Sequence, residues 1–270
     1  MKINRRDFLK TTALTSLYFA GFGSPTFATD GPKKNLVVIM LRGGMDGLCA
    51  IPVKGDKNFE KLRSKINLDK TLQLTSDFDL HPALKTFKRL WDQNLGAAVH
   101  ATNIPYTGRS HFDGQNLMES GGKIPYQVKT GWLGRGMKTA GLTGEGLALA
   151  LPMPLLIRGV SMNNNYFPVG DKLPSKTTLG LIQQAYKDFD EKLLSETLKI
   201  VMTRDLKNSG SDENWSLASN AGEQLSKPNG PRVAVFEVDG FDTHAAQGAT
   251  NGAHADCLSD YDRIISGLKQ

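Results

Sequence analysis

The sequence predicts an α/β fold with a mainly parallel central sheet flanked by helices, and three observations predict it. Two short apolar runs rich in β-branched residues, Asn35-Leu36-Val37-Val38-Ile39-Met40-Leu41 and Arg232-Val233-Ala234-Val235-Phe236-Glu237-Val238, have the length and composition of strands buried on both faces. Each leads directly into a glycine-bearing turn, Arg42-Gly43-Gly44-Met45-Asp46-Gly47 and Asp239-Gly240-Phe241-Asp242-Thr243-His244, which is where ligands collect in open α/β sheets. Apolar residues recur at helical spacing between and after these runs.

The first run reads as a central parallel strand. From Asp79 through Asn94, His81-Pro82 opens a segment with Leu84, Phe87, Leu90 and Trp91 on one face, the pattern of an amphipathic helix with proline in its first turn. Gly96 to Ala101 reads as another short strand, giving strand, helix, strand. The stretch from Thr102 to Arg109 is loop-like, and His111 to Ser120 reads as a helix stopped by Gly121-Gly122. Gly146 to Leu151 is a further apolar run, ended by Pro152 and Pro154. From Thr177 to about Leu206, Ile182, Ala185, Tyr186, Phe189, Leu193, Leu194, Leu198 and Val201 predict one long helix or two joined ones. Residues 208–230 are polar and glycine-bearing and include a break at Pro228-Asn229-Gly230-Pro231. After the last strand, Leu258, Tyr261, Ile265 and Leu268 predict a helix. A helix in that position usually crosses back to feed another parallel strand, so two alternatives stand: a natural carboxy-terminal helix, or a domain cut short.

At the amino end, Asn4-Arg5-Arg6-Asp7-Phe8-Leu9-Lys10 resembles the twin-arginine export signal of bacteria. The apolar region from Thr11 to about Gly23 is diluted by Thr11, Thr12, Thr15 and Ser16 and is far too short to span a bilayer. Thr26-Phe27-Ala28 offers small residues for a signal peptidase, so the expected division is a signal peptide over 1–28 and a mature chain over 29–270. That implies a periplasmic or extracellular protein, the twin-arginine translocase as its partner during export, and no membrane anchor after processing. The 270-residue chain carries a net charge of +6, and losing Lys2, Arg5, Arg6 and Lys10 together with Asp7 leaves +3. Charges of both signs are mixed along the remainder, with no basic block interleaved with aromatics, so no nucleic-acid partner is expected. Two cysteines, Cys49 and Cys257, do not make a disulfide framework; buried free thiols are the default, and a bridge would need both ends of the mature chain to meet.

Asp46 in the first turn, with Asp242 and His244 in the last, could share one edge of a parallel sheet. Carboxylate and imidazole suit a divalent metal, while aspartate beside glycine equally makes ordinary turn hydrogen bonds. Arg109-Ser110-His111-Phe112-Asp113 is the second candidate. A serine hydroxyl can attack a phosphoryl or sulfuryl centre when a metal lowers its pKa, with arginine stabilising the growing charge. Ser110-x-x-Asp113 ahead of a helix is also a capping pattern, and one residue can do both. His111 and His100 alone read as structural groups.

The ordered motifs Leu-Arg-Gly-Gly-Met-Asp-Gly at 41–47, Leu80-His81-Pro82-Ala83-Leu84, Arg109-Ser110-His111-Phe112-Asp113, Gly131-Trp132-Leu133-Gly134-Arg135 and Phe241-Asp242-Thr243-His244 resemble the twin-arginine-exported domain of unknown function 1501 family. That family is in turn similar to the alkaline phosphatase and sulfatase superfamily, α/β proteins with two metal sites and a serine, threonine or formylglycine nucleophile. The resemblance implies metal ligands at Asp46, Asp242 and His244, a nucleophile at or near Ser110, and Arg109 beside it. The cofactor implied is a divalent metal, with zinc, manganese, magnesium and calcium all admissible. The substrate implied is a small phosphate or sulfate ester. The rival is a non-catalytic exported protein that keeps the fold to bind a partner or surface glycan. The family usually continues into another strand and a Thr-Asp-His-Gly turn, absent here, so the resemblance also implies a chain impaired as a catalyst.

Overall fold

The computed structural model describes residues 34–66, 68–150, 152–161, 163–165, 176–188, 198 and 213–269. The chain divides into two units, 1–34 and 35–270, and the description concerns the second. The expected export signal over 1–28 and the distal part of the helix expected over 177–206 lie outside the described residues.

The described strands are β1 (Leu36–Leu41), β2 (Leu72–Gln73), β3 (Asp79–Leu80), β4 (Gly146–Leu149), β5 (Asn164–Asn165) and β6 (Val233–Val238). Four of them form one parallel sheet in the order β1-β6-β4-β5, with Leu36 opposite Val233 and Leu41 opposite Val238. β2 and β3 form a separate antiparallel pair. The described helices are α1 (Gly47–Ala50), α2 (Lys57–Leu62), α3 (Lys85–Asp92), α4 (His111–Ser120), α5 (Trp132–Thr139), α6 (Lys176–Asp188), α7 (Glu213–Ser226) and α8 (Ala253–Leu268), with a 3-10 turn at Leu155–Ile157. The molecule is therefore α/β, a four-stranded parallel sheet flanked by helices.

Alternation along the strands sorts the core into two layers, because successive side chains leave a strand on opposite faces. Val37, Ile39 and Leu41 join Ala234, Phe236, Val238, Leu147 and Leu149 against Ala218, Ala221 and Leu225 of α7 and Leu258 and Ile264 of α8. Val38 and Met40 join Val233, Val235 and Ala148 against Leu133 and Met137 of α5 and Leu156 and Ile157 of the 3-10 turn. Helices on both faces explain why the strands read as continuous apolar runs rather than alternating ones. Among the described residues no helix is long and apolar enough to cross a membrane.

Several expectations need correction. β1 is the edge strand of the described sheet, not a central one. Leu36 donates to Arg232 O just before β6 and Arg42 to Val238 O at its end, so by the two-residue period of the ladder the N–H groups of Val37, Ile39 and Leu41 point to the side that no described strand pairs. Gly96–Ala101 is not a strand; Val99 is 81% exposed and Ala101 has a positive φ of 55°, so the segment has neither burial nor extended geometry. The helix expected from Asp79 begins only at Lys85. Upstream of it, Asp79–Leu80 pairs with Leu72–Gln73, and His81 N donates to Ala50 O. The polar, glycine-bearing stretch, to which the sequence assigns no element, contains α7, anchored by Ala218, Ala221 and Leu225 at helical spacing. Both cysteines are buried free thiols.

α3 starts without a side-chain cap of its own. Asp262, from α8, supplies it: Oδ1 and Oδ2 accept from Thr86 N at 2.9 and 2.8 Å, and Oδ1 accepts from Phe87 N at 3.0 Å. A buried carboxylate thus meets the orphan N–H groups and positive end of another helix.

Candidate active site at the carboxyl edge of the sheet

β1 and β6 are parallel neighbours, so the turns after them leave the same edge of the sheet. They touch. Arg42 N donates to Val238 O at 2.8 Å and Arg42 O accepts from Phe241 N at 3.2 Å. Gly43 has φ +105°, and a Cβ there would collide with the backbone of Phe241 and Asp242. Glycine is what lets the two turns lie this close.

Asp242 occupies the centre of this contact. Its Oδ2 lies 3.2 Å from His111 Nε2 and its Oδ1 lies 3.0 Å from His244 Nε2. His244 sits in the left-handed region at φ 45°, which turns its ring back onto the carboxylate two residues earlier. The carboxylate is open to solvent at 38% of its side-chain surface, so the cluster is accessible. His111 reaches it from the first turn of α4, whose N-cap is Ser110: Ser110 Oγ accepts from Asp113 N at 3.2 Å. Arg109 precedes it on the exposed surface.

Asp46 sits nearby but is otherwise engaged. It caps α1, its Oδ1 accepting from Leu48 N and Cys49 N at 3.1 and 3.2 Å. Its Oδ2 accepts from Arg63 Nη1 at 2.5 Å and from Gln247 Nε2 at 3.0 Å. Burial pushes the carboxyl up, but the Arg63 guanidinium, Gln247 and the Cys49 amide together hold it below its ordinary range. The turn after β6 therefore reaches Asp46 through Gln247. Asp242 and His244 turn to His111.

Beneath these turns lie two buried histidines. His81 accepts from Ala83 N on Nδ1 and donates from Nε2 to Ala249 O, which fixes a neutral ring. His254, in the first turn of α8, lies edge-on to Phe241 and His81, and neither ring nitrogen has a hydrogen-bond partner. Burial lowers the pKa of both. On the other side, Arg42 bridges Glu119 of α4 at 2.8 Å and Glu237 of β6. Burial pushes the Glu237 carboxyl up in spite of Arg42, which Glu119 shares.

The structure thus brings Asp242 and His244 together, adds His111, keeps Ser110 beside His111, and pairs Asp46 with an arginine. Arg63 and Gln247 carried no sequence signal for this role, since they lie 17 and 201 residues from Asp46. His111 stood in the motif but read as a structural group. The residues present do not fit the divalent metal that the family resemblance implies. Both oxygens of Asp46 are taken, Asp242 meets its two imidazoles with different oxygens, and among the described residues no group of three or more His, Cys, Asp or Glu side chains could hold a metal ion. Comparison with protein-family models, curated proteins and solved structures returned no match.

Proposed function

We propose that the protein is an exported, alkaline-phosphatase-like hydrolase that acts on phosphate or sulfate esters at the carboxyl edge of its parallel sheet. The observation that carries this reading is the Asp242 carboxylate held between the imidazoles of His111 and His244, with Ser110 next to His111 at the amino end of α4. On this reading the Ser110 hydroxyl attacks phosphorus or sulfur, the bond to the ester oxygen breaks and the alcohol leaves, and water then attacks the esterified serine to release phosphate or sulfate and restore the hydroxyl. His111, its ring oriented by Asp242, accepts the serine proton and passes it to the departing alcohol oxygen. Arg109 and the amino end of α4 meet the negative charge on the non-bridging oxygens. Twin-arginine export and kinship with the domain of unknown function 1501 family belong to the same proposal, supported by the Arg5-Arg6 segment and the five ordered motifs.

The test is release of 4-nitrophenol from its phosphate and sulfate esters by the protein, assayed in chelator and then with zinc, manganese, magnesium or calcium added. Turnover that Ser110→Ala and Asp242→Asn each reduce by about 100-fold or more supports the reading. Turnover seen only with a cation would contradict the reading of the site as one whose residues do not fit a metal. The second reading, a non-catalytic exported protein binding a partner or surface glycan, is favoured by one specific feature: Ser110 and Asp46 both already serve as helix caps. Absence of turnover under every condition, with the protein folded, selects it.

A further inference from the structure

We infer that Arg42 is the positioning residue of this site, a single residue whose backbone and side chain between them fix both partners of the His111–Asp242 contact. The inference rests on the ester-handling reading for its functional meaning, though not for its geometry. The Arg42 backbone holds one partner: its carbonyl accepts from Phe241 N, the residue before Asp242. Its side chain holds the other. Nη1 donates to Gln115 Oε1 at 3.2 Å and Nη2 to Glu119 Oε1 at 2.8 Å, both on α4, and Nη2 also pairs with Glu237 of β6. His111, Gln115 and Glu119 recur every four residues, so they form one stripe of the helix. The stripe that seats α4 on Arg42 is the stripe that delivers His111 to Asp242.

The arrangement requires arginine rather than any cation. Three acceptors on two elements are met from two terminal nitrogens, a forked geometry that a lysine ammonium cannot reproduce. Glu119 cannot swing away to compensate, because its second oxygen accepts from Leu156 N at 2.9 Å and its side chain is 4% exposed. Loss of the fork should therefore let α4 shift relative to the turn after β6 while the sheet itself stays paired.

The experiment reads the His111–Asp242 contact directly, without reference to turnover. The change in the His111 imidazole proton resonances caused by Asp242→Asn is measured in the wild-type background and again in Arg42→Lys, with thermal melting to establish that each variant folds. The expected result is a clear displacement of the His111 signals in the wild-type background that falls to less than about half in Arg42→Lys, a loss of coupling between residues that no longer touch. Equal displacement in both backgrounds overturns the inference. Should Arg42→Lys fail to fold, Glu119→Gln replaces it, since it keeps the side chain's shape and weakens the same seat; equal displacement there is likewise disqualifying. In the hydrolysis assay Arg42→Lys should lower kcat by about 10- to 100-fold with little change in KM. No turnover by the wild type would defeat the ester reading and leave the positioning role standing. Equal displacement would do the reverse.

Discussion

Gly43 is the residue on which the site's geometry is most exposed to a single change. Its φ of +105° and the absence of room for a Cβ against Asp242 mean that Gly43→Ala must both strain the backbone and separate the two turns. The expected cost is about 2 to 4 kcal/mol in chemical unfolding; a loss indistinguishable from zero would show that the turns do not pack as described. Buried histidines set a second expectation. His81 and His254 have folded pKa values held below the ordinary 6.5 by burial, so the unfolded chain takes up protons first as the pH falls. Their contribution to stability is complete above about 6.5 and is lost as the pH drops toward the depressed folded values. Urea midpoints should therefore decline from about pH 7 to pH 5, and His254→Leu should flatten that decline. A midpoint that rises over this range would contradict the burial of both rings. Residue types in the motifs were legible from sequence, but their partners were not: Asp46 announces a turn or a ligand, and only the fold reveals that Arg63 and Gln247 answer it.

At the scale of elements, β1, β4 and β6 were legible as continuous apolar runs bounded by glycine or proline, α8 by its apolar spacing, and α4 by the capping pattern at Ser110 and the glycines Gly121 and Gly122. The failures share a cause. α7 contains Asn220 and Gly222, weak helix formers, and forms because alanines and Leu225 bury against β6 and α8. α3 starts late because its cap comes from Asp262, 176 residues away, which no local pattern contains. Asp262→Ala leaves the Thr86 and Phe87 amides without their charged acceptor and should cost about 1.5 to 3 kcal/mol, read as a lower unfolding midpoint. The same substitution should speed hydrogen exchange in the first turn of α3 and leave α4 unaffected. β1 yields another expectation. The amides of Leu36, Val38 and Met40 face β6, and those of Val37, Ile39 and Leu41 face the open edge, so exchange protection should alternate along the strand. Uniform protection would mean that a further strand covers β1.

The whole molecule shows how a parallel sheet assembles chemistry from distant sequence. His111 meets the Asp242–His244 turn across β1 and β6, which are neighbours, with α4 held to both by Arg42. Composition and motif order pointed to this edge of the sheet. They could not show that Asp242 meets His111 while Asp46 is paired with Arg63, since both partners lie far away in sequence. The central claim is that this edge handles an ester through Ser110. Peptide mapping by mass spectrometry of protein quenched in acid during incubation with 4-nitrophenyl phosphate or sulfate tests it most directly. A phosphoryl or sulfuryl group on Ser110 that disappears in Asp242→Asn is the expected result; no such group, or its appearance on a different residue, rules the serine out as the nucleophile.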